Sequence, residues 1–227
     1  MKQLTILVLA LSSCISSFSQ QKIADDNGST QLFVGGGVSR NSVNITGSSS
    51  YVEINIEHPK TTAPAFVAGS KFTVKNTNNS LIITPAIRVY SFNSTAKKDL
   101  SSGMATYHHT STFKAKPVIS PTASLGYNII RKPGFKWYVS GGLGFTFLFN
   151  AEEVQSNYYD PSDTTIAVAR KPVPMIFAFN AEMGFEIAKK IGVWIFYQPP
   201  TNTYTKIDKT VQISSLQAGL CYFIRRN

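Results

Sequence analysis

The feature of this chain that most restricts its fold is a two-residue alternation of apolar side chains with polar or small ones. At residues 135–150 every odd position is apolar or glycine, and the even positions are mostly polar, small or glycine. Residues 173–188 repeat the pattern with an apolar side chain at every odd position. Successive side chains of a β-strand point to opposite faces, so this period predicts strands with one apolar face.

Six further segments alternate less strictly, and with the two strong ones they predict about eight strands. A weaker alternation at residues 51–57 predicts a protruding hairpin. No run approaches the roughly 20 consecutive apolar residues that a membrane-spanning helix needs. The six segments are residues 32–39, 66–74, 81–92, 117–129, 191–198 and 211–224.

The connections between these strands alternate between short and long. Since each connection reverses the chain direction, all tight turns fall at one end of the sheet and all long connections at the other, as in transmembrane barrels. The predicted fold class is therefore all-β, a closed antiparallel up-and-down transmembrane β-barrel of about eight strands. The tight turns are residues 76–80, 130–134 and 189–190, and the predicted long polar loops are residues 40–65, 93–116, 150–172 and 199–210.

The same alternation also fits a secreted soluble barrel that binds an apolar ligand inside, as lipocalin-like carriers do, with the faces reversed. Small, Gly-rich polar faces and uncharged apolar faces favour apolar side chains outside, because a Lys or Arg at mid-bilayer costs roughly 2–4 kcal/mol. Aromatic residues near the predicted strand ends also suit the two interfacial girdles of a membrane barrel. These pairs are Phe135 and Trp137, Phe147 and Phe149, Tyr90 and Phe92, and Tyr222 and Phe223.

The first residues have the layout of a secretory signal peptide. Lys2 precedes an apolar run, and Ser17 and Ser19 suit cleavage before Gln20. Alternatively, the Leu-Ser-Ser-Cys sequence ending at Cys14 resembles a lipobox, which would make that cysteine a lipidated N-terminus. The predicted organisation is a signal peptide at 1–19, a short N-terminal segment at 20–29 and a barrel domain at 30–227. Export of a barrel predicts the bacterial outer membrane as its location.

The basic balance of the chain, a net charge of +10, does not indicate a nucleic-acid partner. The basic residues are dispersed in pairs at predicted turns and ends, and an exported protein rarely meets nucleic acid. If Cys14 leaves with the signal, Cys221 is the only cysteine and no intramolecular disulfide can form.

Five charged residues at inward positions form the candidate site. Glu182 and Glu186 share the polar face of one predicted strand, and Lys71, Arg88 and Lys136 fall on the inward faces of others. Because an eight-stranded barrel encloses just enough space for its own side chains, we expect these residues to fill the lumen as an ion-pair network. A gate or a path for protons or ions is the functional alternative, and a wide diffusion pore is not expected.

A catalytic interpretation centres on His108, His109 and Ser111 in the second predicted long loop. A His and a Ser two residues apart on a strand project to the same side, and some outer-membrane lipid-acyl hydrolases place their catalytic pair in this way. A serine nucleophile also needs its base oriented by a third group, and no acid is identifiable nearby. We therefore predict no enzyme activity, with a lipid-modifying outer-membrane enzyme as a further hypothesis.

The predicted external loops hold two more charged sets. Calcium binding is the functional alternative for an acidic set in the third loop, but this set lacks the ligand periodicity of a dedicated calcium loop. It comprises Glu152, Glu153, Asp160 and Asp163. No Gly-rich phosphate loop, Cys-x-x-Cys pair or His-rich metal motif occurs in the sequence, so no cofactor and no metal site is predicted. A basic set suits contact with lipopolysaccharide phosphates. It comprises Lys60, Lys97, Lys98, Lys114, Lys116, Arg170, Lys171, Lys206 and Lys209.

The chain resembles the family of small outer-membrane β-barrel domains called PorT-like, which are similar in size to OmpA/OmpX-type barrels. The resemblance lies in the Ser-Phe-Ser-Gln signal end at 17–20, the Phe- and Gly-rich strand at 139–149, and the motifs Ile83-Thr84-Pro85 and Ile119-Ser120-Pro121. It implies an integral outer-membrane protein with a structural or surface-interaction role and no catalytic residues to carry over. Outer-membrane lipid, lipopolysaccharide and surface or periplasmic proteins are the expected partners.

Two features depart from such barrels. Pro85, Pro121 and Pro174 lie within predicted strands, where each needs a bulge or a strand end because proline cannot donate to the ladder. The last aromatic residue, Phe223, is followed by four further residues, whereas outer-membrane barrels often end on an aromatic residue.

Overall fold

The computed structural model describes residues 29–49, 52–74, 81–102, 105–132, 134–158, 166–170, 175–187, 190–206 and 209–225. The predicted signal peptide and the lipobox at Cys14 lie outside these ranges. No helix among the described residues is long and apolar enough to cross a membrane. The described strands are β1 (Ser29–Ser49), β2 (Val52–Glu57), β3 (Thr61–Val74), β4 (Leu81–Ser102), β5 (Ala105–Lys132), β6 (Phe135–Leu148), β7 (Glu152–Tyr158), β8 (Ile166–Arg170), β9 (Met175–Ile187), β10 (Ile191–Lys206) and β11 (Lys209–Arg225).

Eight of these strands close into a ring of antiparallel pairs. The ring runs β1–β3–β4–β5–β6–β9–β10–β11 and returns to β1. The closing ladder between β1 and β11 is continuous from Gln31↔Arg225 to Gly47↔Lys209. A closed barrel leaves no sheet edge unpaired. The predicted all-β fold, a closed antiparallel up-and-down barrel of about eight strands, is confirmed, and each predicted strand contributes to one of these eight.

The segments predicted as long polar loops are mostly strands, so that part of the prediction is wrong. β4 and β5 continue as one hairpin to Ser102↔Ala105, and β10 and β11 continue to Lys206↔Lys209. β2 pairs with the end of β1, which confirms the hairpin predicted at residues 51–57, and β7 and β8 extend the sheet from β5. Polar residues dominate these segments because their outer faces meet water, which made the composition resemble that of loops.

The inner faces of these extensions carry buried apolar side chains that belong to the same core as apolar residues of the barrel interior. Phe92 of β4 and Phe113 of β5 are fully buried and meet edge to face, with ring centroids 5.9 Å apart. Such aromatic pairs add stabilisation beyond the area they bury. Hairpins that share a packed apolar interior form an ordered platform, not separate loops. Other buried members of this core are Val43, Ile45, Ile56, Ala96, Ala115, Val211 and Ile213.

Exposed apolar side chains surround the barrel on all eight strands of the ring. We call this set the apolar belt. On β11 its residues are Leu216, Leu220, Tyr222 and Ile224, each 45–61% exposed, and the intervening Cys221 and Phe223 are buried. The remaining members of the belt are Leu32, Val34, Val38, Phe66, Ile83, Leu125, Tyr127, Ile129, Val139, Leu143, Phe145, Met175, Phe177, Phe179, Ile187, Ile191 and Tyr197.

The predicted aromatic girdles are only partly correct. Phe135 and Trp137 stack on Phe185 at the tight-turn end of the barrel, each with ring centroids 6.1 Å apart. Tyr90 and Phe92 instead face inward and are 3% and 1% exposed. Phe223 also faces inward, at 3% exposure, because its neighbour Tyr222 occupies the outward position of the alternation.

Of the three prolines discussed above, Pro85, Pro121 and Pro174, two lie where the ladder is interrupted locally. Beside Pro85, the β3–β4 pairing breaks between Gly69↔Ala86 and Phe72↔Ile83. Beside Pro121, the β5–β6 pairing breaks between Ile119↔Phe147 and Thr122↔Gly144. Each break lets a proline sit in a closed barrel without a ladder hydrogen bond to lose. Pro174 lies outside the described residues.

Glycine allows close strand approach where β1 and β11 close the ring. A Cβ on Gly37 would lie 2.0 Å from the backbone oxygen of Ala218. We expect Gly37→Ala to lower the free energy of unfolding by about 1–3 kcal/mol, because the backbone itself must shift. Gly141→Ala is the matched control, since the nearest atom to its Cβ would be the Asn180 oxygen at 3.8 Å. Urea unfolding of both variants checks this, and equal losses would contradict it.

Candidate functional site in the barrel lumen

An ion pair in the barrel interior joins β4 to β9. Arg88 forms a salt bridge with Glu182, and both side chains are almost fully buried. The same guanidinium donates to Thr122 Oγ1 at 2.7 Å and lies over the Phe196 ring, 3.9 Å from its centroid. Tyr138 donates its hydroxyl to the other carboxylate oxygen at 2.9 Å. Charge and hydrogen bonds thus hold this pair in one geometry across the lumen.

A second ion pair lies nearer the tight-turn end. Lys136 Nζ is 3.4 Å from Glu186 Oε2, and Gln31 Nε2 donates to the other oxygen of this carboxylate at 3.3 Å. The glutamate side chain is 1% exposed, whereas the lysine is 24% exposed. This pair therefore lies at the boundary between the buried lumen and the solvent.

Lys71, the fifth predicted residue, lies between the two pairs without joining either. Its ammonium group is 3.7 Å from the centroid of the Tyr138 ring, a favourable cation–π distance. Its Nζ has no hydrogen-bond partner among the described residues, although the side chain is buried. The structure thus places all five predicted residues in one lumen and pairs four of them.

A layer of uncharged polar residues continues the lumen beyond the ion pairs. Gln198 accepts hydrogen bonds from Thr146 at 3.2 Å and from Tyr90 at 3.4 Å. Asn41 accepts from Ser215 at 2.8 Å. Sequence reasoning missed these residues as lumen groups, although an amide at an inward position of a strand was the available signal. Interlocking side chains therefore fill the described interior, as expected for eight strands.

Ser111, the serine of the catalytic hypothesis, is hydrogen-bonded to His58. His58 Nε2 lies 3.1 Å from Ser111 Oγ, and both residues are buried, at 1% and 0% exposure. His109 is buried on the same inner face, while His108 is exposed and contacts Asp99 at 2.7 Å. A nucleophile must reach its substrate, and a fully buried hydroxyl inside the hairpin core does not.

The structure describes only some residues of the acidic set and of the basic set that were predicted in the external loops. Glu152 is exposed and Glu153 is buried, while Asp160 and Asp163 lie outside the described residues. The described part of the chain contains no group of three or more His, Cys, Asp or Glu side chains that could hold a metal ion. Lys98 donates to the Asn55 backbone oxygen at 2.7 Å. Lys60, Lys97, Lys98, Lys114 and Lys116 are exposed. Lys171 and the side chains of Arg170, Lys206 and Lys209 are not described.

No protein-family model and no curated protein matches this chain. Three solved structures are similar to it in fold. Ail of Yersinia pestis, solved with the heparin analogue sucrose octasulfate, is 11% identical, with 88% of this chain and all of that chain covered and a TM-score of 0.39. OprG of Pseudomonas aeruginosa is 10% identical, with 88% and 98% covered and a TM-score of 0.46.

Neisserial surface protein A is 14% identical, with 84% of this chain and 96% of that chain covered and a TM-score of 0.36. At such identities the likeness concerns the fold alone, and the strand pairing described above establishes that fold independently. The chain is an antiparallel β-barrel of eight ring strands, and OprG, one of the solved structures to which it is similar in fold, is an outer-membrane protein.

Proposed function

We propose that this protein is a non-enzymatic integral protein of the bacterial outer membrane, with a closed barrel that supports an external interaction platform. The observation that carries the proposal is the apolar belt on all eight ring strands around a charged interior. Isolated apolar residues are ordinary on water-facing surfaces, but soluble monomers rarely expose contiguous apolar patches beyond a few hundred Å². Lipid around the barrel is the environment that such a belt requires.

The interior does not suit the alternative of a soluble carrier for an apolar ligand. Arg88 and Glu182 occupy the middle of the barrel, and packed polar side chains extend from them. An apolar ligand would have to displace a buried ion pair and leave its charges unpaired, at a cost of several kcal/mol. A soluble carrier needs an apolar inner face and a polar outer face, whereas this barrel has charged side chains inside and the apolar belt outside.

The hairpins are the proposed interaction platform because they rise beyond the apolar belt on one side. The first described residue, Ser29, lies at the opposite, tight-turn end, where short periplasmic turns occur in outer-membrane barrels. Lys97 and Lys114 are exposed on the outer face of the β4–β5 hairpin. Lysines above a lipid-facing belt suit charge-assisted contacts with the phosphates of lipopolysaccharide. Membership of the PorT-like family stays a prediction.

Fractionation combined with a heat-modifiability gel tests the membrane proposal. We expect the protein in the outer-membrane fraction, with a band that migrates differently before and after boiling, because a closed barrel resists denaturation by detergent at low temperature. A cytoplasmic soluble protein serves as the fractionation control. Recovery from the soluble periplasmic fraction, with the same migration before and after boiling, would refute the proposal.

A further inference from the structure

A shallow groove crosses the apolar belt on the outer face of β5 and β6, with a volume of about 400 Å³. The strand register explains its shape, because Gly141 pairs with Leu125 on one side and with Ala181 on the other. Two small outward residues side by side thus leave a depression between larger belt side chains. We call this depression the belt groove. Its lining includes Leu81, Leu125, Tyr127, Val139 and Gly141.

Gly141 forms the open floor of the belt groove. The nearest atom to a Cβ built on this residue would be the Asn180 backbone oxygen at 3.8 Å, so no described side chain of a neighbouring strand covers the position. The adjacent belt residues Val139 and Leu143 are 38% and 44% exposed. Burial of such apolar surface is favourable. The belt groove therefore suits an apolar chain laid along the outside of the barrel.

An exposed cation, Lys132, lies on the same outer face at the tight-turn end of the barrel. It pairs across the ladder with Phe135, which pairs in turn with the belt residue Ile187, so all three belong to the outer face. Among the described residues at this end, the one carboxylate is Glu186, which is buried in the lumen. The outer face of this end is therefore positively charged and suits a phosphate group.

The spacing between Lys132 and the belt groove corresponds to one half of a lipid bilayer. On β5, the lysine follows Leu125 by seven residues and Tyr127 by five, which is roughly 17–23 Å along a strand. A strand tilt of about 40° reduces this to roughly 13–18 Å along the membrane normal. Half of the hydrocarbon core is about 15 Å. A phosphate held at Lys132 thus places an acyl chain of the same lipid along the belt groove.

We infer that the belt groove and Lys132 together bind one glycerophospholipid of the periplasmic leaflet, with an acyl chain over Gly141 and the phosphate at the lysine ammonium group. The inference rests on the proposed membrane location, which puts the tight-turn end on the periplasmic side. A second copy of this chain, related by a two-fold axis along the membrane normal, would bring its own Lys132 to the same depth. Like charges would then repel, so a lipid fits this face better than a second barrel.

Native mass spectrometry of the full barrel, refolded in detergent, tests the groove with phosphatidylglycerol as the added lipid. We expect the first lipid to bind more tightly than any later one, and Gly141→Leu, which fills the belt groove, to weaken this first binding about tenfold or more. Gly36→Leu is the matched control. It adds the same side chain to a belt position of β1, where the nearest atom to the Cβ would be Phe66 Cδ1 at 3.8 Å, and should leave binding unchanged. Equal binding by the two variants would overturn the inference.

A lipid without phosphate tests the role of Lys132 separately. The wild-type protein should bind phosphatidylglycerol about fivefold more tightly than a diacylglycerol with the same chains. Lys132→Met should abolish this preference. Lys190→Met, which removes the same charge from the exposed turn between β9 and β10, should keep it. Loss of the preference in both variants would show an effect of net charge and would overturn the assignment of the phosphate to Lys132.

The same spectra distinguish a second barrel from a lipid as the occupant of the belt groove. A dimer that carries no lipid, and that Gly141→Leu converts to monomers, would show that a second copy covers the belt groove and would refute the inference. Fractionation and the heat-modifiability gel decide the membrane location independently. A barrel found in the outer membrane whose lipid binding ignores Gly141→Leu would therefore refute this inference and leave the proposed function standing.

Discussion

Arg88→Met should lower the free energy of unfolding by about 3–5 kcal/mol, the range for removal of one partner from a buried ion pair. The substitution leaves the Glu182 carboxylate buried with only the Tyr138 hydroxyl as a described donor. It also removes the guanidinium from Thr122 and from the Phe196 ring. Equilibrium urea unfolding in detergent, followed by tryptophan fluorescence, measures the loss.

Lys136→Met is the matched control, since it also takes a cation from a buried glutamate. Lys136 is 24% exposed, and Gln31 continues to donate to Glu186, so we expect a loss of about 1 kcal/mol or less. Adding Glu182→Gln to Arg88→Met should recover part of the larger loss, because no buried charge is then unpaired. Equal losses for the two single variants, or no recovery in the double variant, would show that the lumen ion pair does not hold the barrel together.

The sequence was sufficient to predict that the charged lumen residues point inward. Successive residues of a strand point to opposite faces of the sheet, so the alternation alone predicts which side chains point inward. It predicted this for Lys71, Arg88, Glu182 and Glu186. Their partners could not be predicted. Arg88 on β4 and Glu182 on β9 are separated in the ring by β5 and β6, and their approach across the lumen depends on the register of every ladder between them.

The external half of the molecule was less predictable. His58 meets Ser111 across 53 positions of sequence, and this contact depends on how the hairpins pack together. Aromatic residues near strand ends suggested membrane girdles, but the same composition serves a buried core when the hairpins extend beyond the barrel. Tyr90 and Phe92 are of this kind. Composition alone does not reveal whether an aromatic side chain near a strand end meets lipid or the buried core.

Leu220→Arg should lower the free energy of unfolding in lipid vesicles by about 2–4 kcal/mol, the cost of a lipid-facing arginine near mid-bilayer. Leu220 is 61% exposed and central among the outward residues of β11, with Leu216 and Ile224 near the ends of the apolar belt. Its side chain makes little internal packing to lose. On a water-facing surface the same substitution would change stability by no more than about 0.5 kcal/mol.

Asn202→Arg on the neighbouring β10 is the control that separates lipid contact from a general effect of added charge. Asn202 is exposed and lies beyond Tyr197, the belt residue of β10 nearest the hairpins, so its arginine should remain in water and cost no more than about 0.5 kcal/mol. Urea unfolding of both variants in vesicles gives the comparison. Because the belt is the basis for placing this barrel in a membrane, a Leu220→Arg variant as stable as Asn202→Arg would mean that the belt does not face lipid.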